Sequence, residues 1–130
     1  LVQVDLAHEP AKHGAMPDTL AHIFEVGKSC RAVRVTGLML LPPFMDDAAL
    51  VRPYFAAVRS LRDDLLRRGI DPACLAELSM GMSHDFEIAI EEGATIVRVG
   101  TAIFGSRPHL IPGAAPDGPP DSPTDPPTDA

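Results

Sequence analysis

The sequence predicts an α/β fold: the C-terminal half of a (β/α)8 TIM-type barrel, with four parallel strands, alternating helices and a disordered tail. Three observations predict it. The apolar residues switch repeatedly between a strand period of two and a helical period near 3.6. The switching gives strand then helix three times, followed by a fourth strand, the pattern of a parallel sheet. A whole barrel takes about 250 residues, so a chain of 130 holds about half of one. Because Leu1 already lies inside a strand pattern, the reading expects a fragment whose N-terminal half is missing.

Leu1 to Leu6 alternates apolar and polar residues and predicts the first strand. A polar loop, His8 to Gly14, leads to a helix opened by Pro17, a residue favoured in the first turn. Leu20, Ile23, Phe24 and Gly27 form its inward face. Ala32 to Leu41 is a near-continuous apolar run, as in a strand covered on both faces, and Pro42-Pro43 stops it. The second helix runs from Pro53 to Arg68, with Phe55, Val58, Leu61 and Leu65 on one stripe and Gly69 as its stop. Leu75 to Met80 predicts the third strand. Ser83 is placed as the cap of a third helix, with Asp85 and Glu87 in its first turn. Phe86, Ala89 and Ile90 are expected to face inward, and Gly93 to end the helix. Thr95 to Gly100 predicts the fourth strand.

The chain divides into a folded body, residues 1–107, and a tail, residues 108–130. The tail has eight prolines, four aspartates (Asp117, Asp121, Asp125, Asp129) and no lysine or arginine. With so little to bury it cannot offset the entropy of ordering, so disorder is expected. A proline-rich ligand for an adaptor domain is the alternative. Eleven Lys and Arg face 18 Asp and Glu, for a net charge of −7. Without the tail aspartates the body holds 14 acidic and 11 basic residues, a net of −3. Such a balance argues against a nucleic-acid surface, which needs clustered positive charge, and against docking on an anionic bilayer. No apolar run approaches the ~20 residues of a membrane span. Cys30 and Cys74 suggest no disulfide framework or metal motif. A cytoplasmic location follows as the expectation.

Ligands of parallel α/β folds gather at the C-terminal strand ends. Two places there are informative. Ser79-Met80-Gly81-Met82-Ser83 joins a strand to a helix: Gly81 permits close backbone approach, and Ser83 offers a hydroxyl beside free amides, suiting a phosphate or carboxylate. An ordinary turn with a serine cap is the plain alternative. Along the fourth strand, alternation puts Val97 and Val99 on one face and Ile96, Arg98 and Gly100 on the other. An arginine inside a barrel needs a partner, because its charge cannot be shed. Either it forms a structural ion pair, for example with Asp5, or it aims at a bound ligand. Gly100 and Thr101 would add amides for the anion that Ser83 touches.

At these residues the sequence resembles a known family. LSMGMSHDFEIAIEEGATIVRVGTAIFG, Leu78 to Gly105, is similar to the C-terminal region of the pyridoxal-phosphate homeostasis proteins, cytoplasmic proteins with a barrel like the alanine racemase N-terminal domain. VQVDLAHEPAKHG (Val2 to Gly14), VTGLMLLPP (Val35 to Pro43) and RPYFAAVRSLRDDL (Arg52 to Leu65) agree with it, and the tail has no counterpart. The resemblance implies that Ser83, Gly100 and Thr101 hold the phosphate of pyridoxal 5'-phosphate. It implies that Arg98 faces the pyridine nitrogen, while Ser79, Met80 and Gly81 shape the turn. It also implies that the Schiff-base lysine lies on an early strand, in the half expected to be missing. Neither Lys12 nor Lys28 occupies that motif; Lys12 is expected at the ligand-bearing end.

The expected function is therefore cofactor binding, storage and delivery without robust catalysis. Two alternatives stand beside it: part of a pyridoxal-phosphate-dependent amino-acid racemase, which needs two bases at the substrate carbon, and a non-functional half-barrel. The open sheet is expected to need the missing half or self-association to cover it. His8 and His13 lack a third ligand for a metal. His84 is expected at the surface, the two cysteines are expected to be partly buried, and Met39, Met80 and Met82 to pack near the barrel mouth.

Overall fold

The computed structural model describes residues 1–7 and 13–106. Four parallel strands, β1 (Val2–Val4), β2 (Gly37–Leu40), β3 (Glu77–Met82) and β4 (Ile96–Arg98), pair in the order of the sequence. A doubly wound sheet reverses its strand order at a switch point; these four strands do not. Helices α1 (Leu20–Ser29), α2 (Arg52–Arg67) and α3 (Phe86–Glu91) connect them, and a short α4 (Thr101–Phe104) follows β4.

The register aligns one side chain set into one core. Val2, Leu38 and Leu78 lie in line across β1, β2 and β3, as do Gln3, Met39 and Ser79 one step on. Alternation then sends Val4, Leu38, Leu40, Leu78 and Met80 to the face covered by helices. There they meet Leu20 and Phe24 of α1, Phe55, Val58 and Leu65 of α2, and Ala89 of α3, all buried. Gln3, Met39, Ser79 and Arg98 occupy the other face. The sequential order and one-sided core position every strand end on a common rim.

Several boundaries differ from the sequence reading. The first strand is three residues long, not six. Of Ala32 to Leu41, only Gly37 to Leu40 pairs; residues 31–34 are exposed, Val33 at 64%. Strand length is decided by the neighbours, and β1 offers three partners. Before β3, residues 72–74 make a single 3-10 turn, capped by the Asp71 carboxylate accepting from the Ala73 amide at 2.9 Å. β3 therefore starts two residues late and runs on through Met82. Helix α2 matches its expected stripe, begins at Arg52 and is stopped at Gly69, whose φ is +90°.

Helix α3 is turned from its expected orientation. Ile88 and Ile90 each lie one step, about 100°, either side of the buried Ala89. Periodicity cannot choose between them. Ile88 packs on the core and Ile90 is exposed. A partly covered clamp ties α3 to α2: Arg52 bonds Glu91 and Glu92, and Arg59 Nη1 lies 2.8 Å from Glu92 Oε2. Arg52, first of all, holds the Glu92 carboxyl below its usual range. Residues 107–130, His8 and Lys12 lie outside the described residues, so the expectations of a disordered tail and of Lys12 at the ligand-bearing end do too.

Candidate functional site

The C-terminal ends of β2, β3 and β4 surround a cleft of about 750 Å³. Its walls include Pro43, Phe44, Met82, Ser83, Gly100 and Phe104. Phe44 and Phe104 are largely exposed there, which makes one side of the mouth apolar. His84 lies 5.6 Å from the Phe44 ring, centroid to centroid, and its Nε2 is 3.2 Å from the Asp46 carbonyl oxygen. That contact holds the segment after β2 against the one after β3.

Ser83 does not cap α3. The preceding residue of that helix is Asp85, whose Oδ1 accepts from the Met82 amide at 2.6 Å, tightening the turn. Freed from capping, the Ser83 hydroxyl oxygen accepts from the amides of Gly100 at 3.1 Å and Ala102 at 3.2 Å. These amides open α4, where a helix start leaves N–H groups without internal partners. One hydroxyl thus joins the tips of β3 and β4. Ala102 was invisible to sequence reasoning; a four-residue helix is too short to announce itself by period.

The turn reaches this geometry through Gly81. Its φ is +91°, and a Cβ there would lie 2.6 Å from Ala89 Cβ and 3.0 Å from Phe86 Cα. Only a residue without a side chain lets β3 pass so close to α3. Met80 directs its side chain into the core, fully buried, so only its backbone faces the turn.

Arg98 lies half-buried on the face opposite the helical core. Its Nη1 donates to Ser79 Oγ at 2.7 Å, and its Nη2 to the Leu40 carbonyl at 2.9 Å. The guanidinium therefore spans β4, β3 and β2 and is not ion-paired with Asp5. Ser79 is itself buried. Burial pushes the guanidinium below the ordinary arginine value, and the Asp85 carboxylate opposes this. Two hydrogen bonds leave other N–H groups of its five for a ligand. Thr101 is exposed beside Gly100 on the cleft wall.

A family described as the alanine racemase N-terminal domain matches residues 1–108. This chain belongs to that family. Among its curated relatives, the pyridoxal phosphate homeostasis protein of Aquifex aeolicus (strain VF5) is 49% identical over 109 residues, 84% of this chain and 47% of the relative. The Homo sapiens protein of the same name is 39% identical over 111 residues, 84% of this chain and 40% of the relative. The chain thus spans about half the length, or less, of the curated relatives it matches. Two solved structures of PipY from Synechococcus elongatus PCC7942 are similar. The one without PLP has a TM-score of 0.71 at 38% identity, covering 80% of this chain and 48% of PipY. The one with PLP bound has a TM-score of 0.68 at 36% identity, covering 80% and 47%.

Other residues of this family member fall away from the cleft. His13 is exposed, its carbonyl accepting from the Gln3 side chain at 2.7 Å. Cys30 is exposed, contrary to the expectation of partial burial, whereas Cys74 is partly buried. Cys30 stands at the C-terminal end of α1, on the wall of a cavity it shares with Val35 and Cys74. Lys28 pairs with Glu25 at 2.6 Å, far along the chain from both strand tips. No helix among the described residues is long and apolar enough to cross a membrane.

Proposed function

We propose that this chain binds pyridoxal 5'-phosphate in cofactor homeostasis, storing and delivering it without robust catalysis of its own, and that its four strands are an arc of a (β/α)8 barrel. One observation carries the reading: the Ser83 oxygen accepts from two amides of a second strand tip, at 3.1 and 3.2 Å. An oxygen occupied by two donors directs its own proton elsewhere, toward an anion in the cleft. Ser83 holds the phosphate through its hydroxyl proton and Thr101 through its main-chain amide, while Gly100, whose amide already donates to Ser83 Oγ, orients that hydroxyl and lets the phosphate approach the backbone. The similarity to PipY, one structure of which has PLP bound, supports the same ligand.

Arg98 faces the pyridine nitrogen. Ser79 and the Leu40 carbonyl fix its guanidinium, so the donor arrives already oriented. When bound, pyridoxal phosphate supplies an aldehyde and an electron-withdrawing ring. A guanidinium keeps its own proton and disfavours a protonated ring nitrogen beside it, which weakens the ring as an electron sink. That favours holding the cofactor over broad carbanion chemistry. Gly81 and the Met80 backbone set the turn that presents Ser83.

The test is a titration of the full chain with pyridoxal 5'-phosphate, followed by cofactor absorbance. Ser83→Ala is expected to weaken binding about tenfold, the equivalent of one charge-assisted hydrogen bond. Arg98→Glu is expected to shift the bound spectrum toward a protonated ring. Unchanged affinity in the first variant and an unchanged spectrum in the second would overturn the assignment. Rapid alanine racemisation by the chain would favour the racemase reading instead.

A further inference from the structure

A second cavity, of about 440 Å³, lies at the opposite end of the sheet. Residues 31–35 on its wall precede β2, and Cys74 precedes β3, whereas Ser83 and Gly100 follow β3 and β4. Its apolar lining includes Phe24, Val35 and Cys74. Its lining also carries Lys28, Arg31 and Arg34, and no carboxylate among the described residues lines it. Three cations on one small concavity stand out in a chain whose net charge is −7.

The three cations are not equivalent. Lys28 is neutralised by Glu25 at 2.6 Å. That contact chiefly holds its ammonium above the ordinary value, with weaker help from Cys74 and Asp71. The Asp71 carboxylate already accepts from the Ala73 amide at 2.9 Å. Arg31 and Arg34 make no hydrogen bond or ion pair with any described residue. Two guanidinium forks, two and five residues past the end of α1 and both lining this cavity, are suited to a multiply charged oxyanion. The volume falls in the range of small-molecule pockets, about 300–1,000 Å³.

We propose that this cavity is a second anion site, taking a small phosphate-bearing molecule between Arg31 and Arg34, independent of the site at the other end of the sheet. Cys30 is exposed on the same wall and reports on occupancy. A bound anion covers its thiol and slows alkylation by a neutral reagent. The local positive potential also favours a negatively charged alkylating agent over a neutral one.

The experiment uses the full chain with inorganic pyrophosphate as probe. Alkylation of Cys30 by iodoacetamide is followed by peptide mass spectrometry, which separates it from Cys74. Saturating pyrophosphate is expected to slow the Cys30 reaction several-fold. In Arg31→Glu/Arg34→Glu the protection is expected to need about tenfold more pyrophosphate, two exposed charge contacts having been reversed. The preference for iodoacetate over iodoacetamide is expected to fall as well. Both positions are exposed, so the urea midpoint should not move. Ser83→Ala should leave Cys30 protection intact, which separates this site from the cofactor cleft. Absence of protection, equal protection in the double variant, or equal protection by chloride at matched ionic strength overturns the proposal. So does faster Cys30 alkylation after Asp117, Asp121, Asp125 and Asp129 are changed to Asn, since the occupant is then the chain's own carboxylates.

Discussion

Gly69 and Gly81 form a matched pair that isolates the effect of close packing at the cleft. Their φ angles are +90° and +91°. A Cβ at Gly69 meets nothing within 4 Å, whereas at Gly81 it lies 2.6 Å from Ala89 Cβ and 3.0 Å from Phe86 Cα. Gly69→Ala should therefore cost only backbone strain, about 1–2 kcal/mol, less the ~0.4–1 kcal/mol gained by restricting the unfolded chain. Gly81→Ala carries the same terms plus an overlap. Carbon atoms at rest sit about 3.5–4.0 Å apart, so ~1 Å must be relieved. Ala89 is fully buried and Phe86 presents backbone, so neither can swing away. Overpacking of this kind costs about 1–3 kcal/mol. Urea unfolding at constant slope is the assay. The midpoint of Gly81→Ala should fall below that of Gly69→Ala by the equivalent of about 1–3 kcal/mol. Equal midpoints, or a milder Gly81 variant, would refute the close approach of β3 to α3. Because the turn presents Ser83, cofactor affinity should drop in the Gly81 variant alone.

Other outcomes follow from the core and the clamp. Phe55→Ala, at a side chain with no exposure, should lower stability by about 3–5 kcal/mol in the same assay. Glu92 is held below the ordinary 4.5 by Arg52. Its contribution to stability is present above that value and lost as pH falls through the lowered one. Glu92→Gln should therefore be less stable than the unchanged chain near neutral pH, and the difference should vanish in acid. A difference that did not shrink as the pH falls below 4.5 would sink that account.

The alternation of apolar and polar residues, and the helical stripe of Phe55, Val58, Leu61 and Leu65, are local properties, legible without coordinates. So were the parallel α/β class, the stop at Gly69, and Arg98 as a residue on the face away from the helices. Conformation at those points depends on residues a few positions apart. Elsewhere the chain alone was ambiguous. Ala32 to Leu41 is apolar enough for a long strand, yet only the residues with a partner in β1 or β3 pair. Ile88 and Ile90 are equally offset from Ala89, and packing against α2 and the sheet decides between them.

The candidate site was legible by composition and not by connection. A serine before a helix is most simply a cap, and in isolation nothing tells its hydroxyl to turn to amides 17 and 19 residues ahead. The acceptors of Arg98 lie 19 and 58 residues back, one of them a main-chain carbonyl with no side-chain identity to read. The sequence by itself determined the alternation of strands with the three main helices, the apolar stripe of α2, and the neighbourhood of the strand ends where Ser83, Arg98, Gly100 and Thr101 stand, because these depend on short-range sterics and burial. The tertiary structure alone decided which strand ends meet and which oxygen each donor finds, because hydrogen bonds are satisfied by proximity in space, and proximity is set by how the helices pack the sheet.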